Sequence, residues 1–155
     1  MADTESQQSK INIVCMDGSG EAENAFKWYI KNVHNNNSYV IIVHCVDHRK
    51  LNTFGSIWEP SDHGLIMLAY KEEEKRADKK VEQLQQTLNA SGVKGEVVKS
   101  SGEPGPTVIG IAKDRKANMI LTGCRGLGTI RRTFLGSVSD YIMHHSEVPV
   151  LICRH

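Results

Sequence analysis

The fold class this sequence predicts is an open five-stranded parallel sheet with helices on both faces, and three observations lead to it. Short apolar runs rich in β-branched residues alternate with segments whose apolar residues recur at helical spacing, the pattern of β-α-β units joined by right-handed crossovers. The run from Tyr39 to Val46 is almost continuously apolar, as parallel strands covered on both faces are. Two strand ends, at Asp17-Gly18-Ser19-Gly20 and at Gly123, break abruptly into glycine-bearing turns. The expected strand order is 3-2-1-4-5. In that order the chain reverses between strands 1 and 4, and ligands in such sheets bind at the carboxyl ends of the strands beside the reversal.

Each element has its own signal. Ile11 to Met16 is a short apolar run that closes at Asp17-Gly18, which reads as strand 1. Ala22, Ala25, Phe26, Tyr29, Ile30 and Val33 then recur at helical spacing, with Ser19 or Gly20 near the N-cap and Asn35-Asn36-Asn37 as the stop. Tyr39 to Val46 is strand 2. Residues 47–63, with Phe54, Gly55, Trp58 and Pro60, form a long connection of the kind that carries function or moves. A long helix follows, its apolar face drawn from Leu65, Leu68, Ala69, Ala77, Val81, Leu84 and Leu88, while the mixed-sign run from Lys71 to Lys80 reads as a solvated face. Gly95 to Lys99 is a short strand 3. Ser101 to Pro106 is a turn opening a helix through Thr107, Val108, Ile109, Ile111 and Ala112, with proline near the first helical position. Ala117 to Thr122 is strand 4, a helix starts near Gly136-Ser137, and Val148 to Cys153 is strand 5, whose Pro149 suits a strand start or an edge.

Composition narrows the function. The 155 residues fit one domain, expected over 10–155, with residues 1–9 a disordered lead-in. A formal charge of +1 gives no bulk attraction for nucleic acid or an anionic membrane surface. No apolar stretch approaches the roughly 20 residues of a membrane helix, and residues 1–10 lack the apolar core of a signal peptide. Cys15, Cys45, Cys124 and Cys153 fall singly, without a C-x-x-C pair, so a reduced cytoplasmic setting is expected.

The stretch from Gly123 to Ser139 carries the chemistry. It follows a strand end, contains two close-spaced glycines and a loop bearing Arg125, Arg131 and Arg132, and ends in a helix start with hydroxyls. Glycines let backbone N–H groups approach an anion, and the first helical turn offers unpaired donors at the positive end of the dipole. Other chemistries lack their residues. No G-x4-G-K-(S/T) segment is present, Cys15 stands where a haloacid-dehalogenase-type phosphatase would need a second aspartate, neither Gly18-Ser19-Gly20 nor Gly136-Ser137 fits G-x-S-x-G, and no H-E-x-x-H occurs.

The spacing Gly123-x2-Gly126-x9-Gly136-Ser137, continued by Val138-Ser139, resembles the G-x2-G-x9-G-(S/T) signature of the universal stress protein family. Ile13 to Ser19 and Val43 to Asp47 extend the resemblance over nearly the whole chain. It implies a Rossmann-like fold binding ATP, or AMP or ADP, with Mg2+ able to accompany the phosphates. By the same resemblance Asp17 takes the adenine and ribose side, and main-chain groups of Met16 and Cys45 frame the base. Gly123, Gly126, Gly136, Ser137, Val138 and Ser139 hold the phosphates, and Thr122 and Arg125 complete the expected nucleotide-binding set. No base, nucleophile or metal set accompanies this cradle, so a regulatory switch in the stress response is expected, with a slow ATPase or a nucleotide-independent dimeric module as alternatives. The family's habit of pairing its last strand implies a homodimer through Val148 to Cys153.

Overall fold

The computed structural model describes residues 9–49, 63–124 and 135–154. Residues 1–8 of the expected lead-in and residues 50–62 of the 47–63 connection lie outside these residues, as do Arg125, Gly126, Arg131 and Arg132. Five parallel strands form one sheet in the order β3-β2-β1-β4-β5. They are β1 (Lys10–Cys15), β2 (Ser38–Val46), β3 (Gly95–Ser101), β4 (Met119–Gly123) and β5 (Val150–Cys153). Among the described residues four helices connect them: α1 (Gly20–Asn32), α2 (His63–Ser91), α3 (Pro104–Asp114) and α4 (Ser137–His145).

Successive strand residues point to opposite faces, and the burial shows both faces covered. Val14, Val40, Ile42 and Leu121 face a core with Ala22, Phe26 and Tyr29 of α1 and Leu84 and Leu88 of α2. Their sequence neighbours Ile13, Ile41, Val43 and Ile120 face a second core with Val108 and Ala112 of α3 and Ile142 of α4. The doubly covered centre is why β2 reads as an unbroken apolar run.

Helix starts follow local chemistry. Ser19 caps α1, its hydroxyl accepting from the Ala22 N–H at 3.2 Å, and Glu21 and Glu23 add negative charge to the first turn. Proline at the start of α3 supplies a fixed φ where no N–H is needed. The α4 N-cap, Gly136, has no side chain to do this work.

Two boundaries and one burial pattern differ from expectation for physical reasons. The β3 ladder runs to Ser101 because β2 remains beside it as far as Val46. Pro149 precedes β5 yet still contributes, its carbonyl accepting from the Ile120 N–H at 3.0 Å. Leu65 and Leu68, expected on the core face of α2, are 54% and 60% exposed. At 1.5 Å per residue the 29 residues of α2 span about 43 Å, against about 30 Å for the nine residues of β2, so its first turns overhang the sheet. Only from Ala77 onward does the apolar stripe reach the core.

Candidate functional site

At the carboxyl ends of β1, β2 and β4 the helix layers part around a cleft of about 660 Å³, within the range that holds small-molecule ligands. The topology produces it. β1 and β4 are neighbours in the sheet, but the chain leaves β1 toward the α1 layer and enters α4 in the opposite layer. Nine of the residues singled out from the sequence line this one space: Met16, Asp17, Cys45, Thr122, Gly123, Gly136, Ser137, Val138 and Ser139. Arg125 and Gly126 lie outside the described residues.

The geometry distinguishes what each can offer. At the β1 end the Asp17 carboxylate accepts from the Ser19 N–H at 2.9 Å and shapes a turn in which Gly18 takes φ +84°. Met16 is buried, its N–H donating to the Val43 carbonyl at 3.0 Å and its carbonyl accepting from His44 Nδ1 at 2.9 Å. The Met16 carbonyl therefore keeps one lone pair for a ligand. Nothing in the sequence pointed to His44, which stands within an apolar strand.

At the β4 end Gly123 passes so close to α1 that a Cβ would lie 3.0 Å from the Glu21 carbonyl oxygen. The hydroxyls here serve the fold. Ser139 Oγ donates to the Gly123 carbonyl at 3.0 Å and lies 3.0 Å from Thr122 Oγ1, and both residues are buried. The Ser139 hydroxyl is therefore engaged within the fold, while Ser137 is exposed on the first turn. The N–H groups of Ser137, Val138 and Ser139 have no acceptor within α4, as first-turn helix geometry requires. The helix N-termini at the cleft thus differ: that of α1 is capped by Ser19 and flanked by two glutamates, that of α3 begins with Pro104 and Pro106, which bring no N–H, and that of α4 has a glycine cap and is the one suited to an anion.

The thiols in the cleft are not poised as nucleophiles. Burial, with the neighbouring Cys45 and Asp17, pushes the Cys15 thiol well above the usual range. Burial and Asp47 push Cys45 up to about 11. At neutral pH both remain protonated. Arg49 is held by Asp47 at 2.6 Å and by Glu103 at 2.8 Å, joining the end of β2 to the start of α3. Among the described residues no group of three or more His, Cys, Asp or Glu is arranged to hold a metal ion. No described helix is long and apolar enough to cross a membrane.

The family model described as the universal stress protein family matches residues 10–154. The chain belongs to the universal stress protein family. Among its family relatives, universal stress protein Sll1388 of Synechocystis is 29% identical over 92% of this chain and 96% of its own length. The solved structure of universal stress protein UspA from Lactobacillus plantarum superposes with a TM-score of 0.72 at 21% identity, covering 95% of this chain and 99% of that one. An Arabidopsis thaliana universal stress protein family protein, At3g01520, solved with AMP bound, superposes with a TM-score of 0.67 at 18% identity, covering 94% and 92%. At these identities the structural likeness is one of fold.

The sequence left one wall of the cleft unread. Glu73, Arg76, Ala77 and Lys80 of α2 line it. Their spacing places them on one face of the helix, within the charged run that reads as solvated. The signal that could have found them is Ala77, a small apolar residue at the centre of a charged stretch.

Proposed function

We propose that this universal stress protein binds an adenine nucleotide in the cleft and acts as a stress-response regulatory switch. The observation that carries the reading is the uncapped N-terminus of α4 facing, across one cleft, the carboxylate-bearing turn after β1. An anionic phosphate suits the first, where N–H groups and the helix dipole converge. A carboxylate accepts hydrogen bonds from ribose hydroxyls at the second. The AMP held by the Arabidopsis family member supports adenosine as the common half of the ligand, with ATP, ADP and AMP differing only in phosphate count. Main-chain groups of Met16 and Cys45 frame the base, Asp17 the ribose, and Gly123, Arg125, Gly126 and Gly136 to Ser139 the phosphates. A magnesium ion would come with the phosphates, which supply the ligands that the described residues do not assemble.

The cleft holds protonated thiols and hydrogen-bonded hydroxyls, so occupancy itself is the signal. β5 is an edge strand of half-buried valine, leucine and isoleucine, and pairing it with a second copy in a cytoplasmic homodimer would cover that edge. The test is to denature freshly purified protein and identify what it releases by chromatography. Released adenine nucleotide supports the reading. Protein that carries none, and takes up none after incubation with ATP, overturns it.

A further inference from the structure

We propose that Lys80 of α2 is a nucleotide-positioning residue whose ammonium group meets the phosphate attached to the ribose. The inference rests on the nucleotide reading above and adds a cation from an element outside the glycine signature.

The Lys80 side chain lies across the turn that carries Asp17. A Cβ built on Gly18 would sit 2.6 Å from Lys80 Cε and 2.7 Å from Nζ, so the lysine uses the space that glycine leaves open. The same glycine has φ +84°, a backbone region that side chains disfavour, and both features keep this turn small beneath the ammonium.

Lys80 also lacks a partner that its surroundings could have supplied. Among the described residues no carboxylate lies within 4 Å of its Nζ, whereas Arg49 is held by Asp47 and Glu103 and Lys99 by Glu74 and Asp78. Its helical neighbours at the distances where ion pairs form are Arg76, Ala77, Gln83 and Leu84. None is acidic, and Arg76, one helical turn away, is a like charge. A lysine on an exposed helix ordinarily loses nothing by pointing to water, yet this one lies half-buried in the cleft. Of the lining carboxylates, Asp47 is held by Arg49 and Glu73 lies 4.0 Å from Arg76, while Asp17 and Glu21, on the β1 side of the cleft, would repel an incoming phosphate. A cation over the β1 turn offsets that repulsion where the ribose hands the chain of phosphates toward α4.

The experiment compares adenosine with AMP by calorimetry, using wild type, K80Q and K80R, with thermal melts to verify folding. One charge-assisted hydrogen bond lost corresponds to about tenfold or more in affinity. The expected result is that K80Q weakens AMP about tenfold, leaves adenosine within twofold, and flattens the salt dependence of AMP binding, while K80R recovers most of the loss. AMP affinity unchanged in K80Q, or adenosine and AMP weakened equally, overturns the role of Lys80 and leaves the nucleotide site standing. Wild type that binds neither ligand overturns the nucleotide reading, and the role of Lys80 falls with it.

Discussion

Replacing Gly136 with alanine separates a ligand-binding role from a folding role. Gly136 has φ −62° and ψ 150°, open to any residue, and a Cβ there meets no described atom within 4 Å. Alanine is the poorer N-cap, but it also reduces the backbone entropy of the unfolded chain, so stability should change by no more than about 1 kcal/mol. In the cleft the same methyl group stands at the mouth of the α4 N-terminus, before the N–H groups of Ser137, Val138 and Ser139. A phosphate held away from one of these loses a hydrogen bond to a charged group, about 1.5–3 kcal/mol, or about 10- to 150-fold in Kd. The assay is titration calorimetry with AMP and ATP at fixed salt and pH, beside thermal melts of the ligand-free proteins. An unchanged Kd together with an unchanged Tm would refute the placement of phosphate at α4. Gly123→Ala is a less clean probe, because its Cβ meets the Glu21 backbone.

Further expectations concern the groups around the cleft and the core. Ser139→Ala removes the hydroxyl that ties α4 to the Gly123 carbonyl, leaving that carbonyl with Thr122 Oγ1 at 3.3 Å. Thermal melts should show a loss of about 1 kcal/mol, with AMP affinity nearly unchanged; a large affinity loss at constant Tm would mean that the hydroxyl faces the ligand. Tyr29→Phe strips the acceptor from the buried Asn12 amide at 2.8 Å and should cost about 1–3 kcal/mol in denaturant unfolding. Beyond Tyr29, burial lowers the pKa of His34 from 6.5, so the unfolded chain takes up a proton first as pH falls. Stability from this group is full above 6.5 and declines below it; the Tm advantage of wild type over His34→Gln should shrink from pH 7 to pH 6, and an advantage that grows would contradict the sign. With its thiol pushed from 9.0 to about 11, Cys45 should alkylate about 100-fold more slowly than an ordinary thiol at neutral pH. Its rate should keep climbing past pH 9, and a plateau there would refute the shift.

Much of this architecture could be read from residue order, because both faces of the sheet are buried and the strands therefore announce themselves as apolar runs. Tyr39 to Val46 and Met119 to Thr122 fell where the ladder places them. The residues of the glycine signature described in the structure converge because each sits at a strand end or helix start, where punctuation is visible in sequence. Lys80 and His44 were not legible. One hides in a charged helix and gains a role where α2 crosses the β1 turn, and the other stands in an apolar strand and gains one from the Met16 carbonyl at the end of the neighbouring β1. Hydroxyl direction was equally out of reach: Ser139 carries the motif's residue type, but its side chain turns inward to Gly123 because the helix start packs against the end of β4. The exposure of Leu65 and Leu68 follows from the length of α2 relative to the sheet, which periodicity does not encode.

The central claim is that the cleft between β1 and α4 is where an adenine nucleotide binds, and amide chemical-shift mapping of the 15N-labelled protein during titration with AMP tests it most directly. The expected result is saturable perturbation concentrated at Asp17, Cys45, Gly123 and Ser137 to Ser139. Spectra that do not change at about 1 mM AMP, where binding would be worth only about −4 kcal/mol, or changes gathered away from these residues, would contradict it.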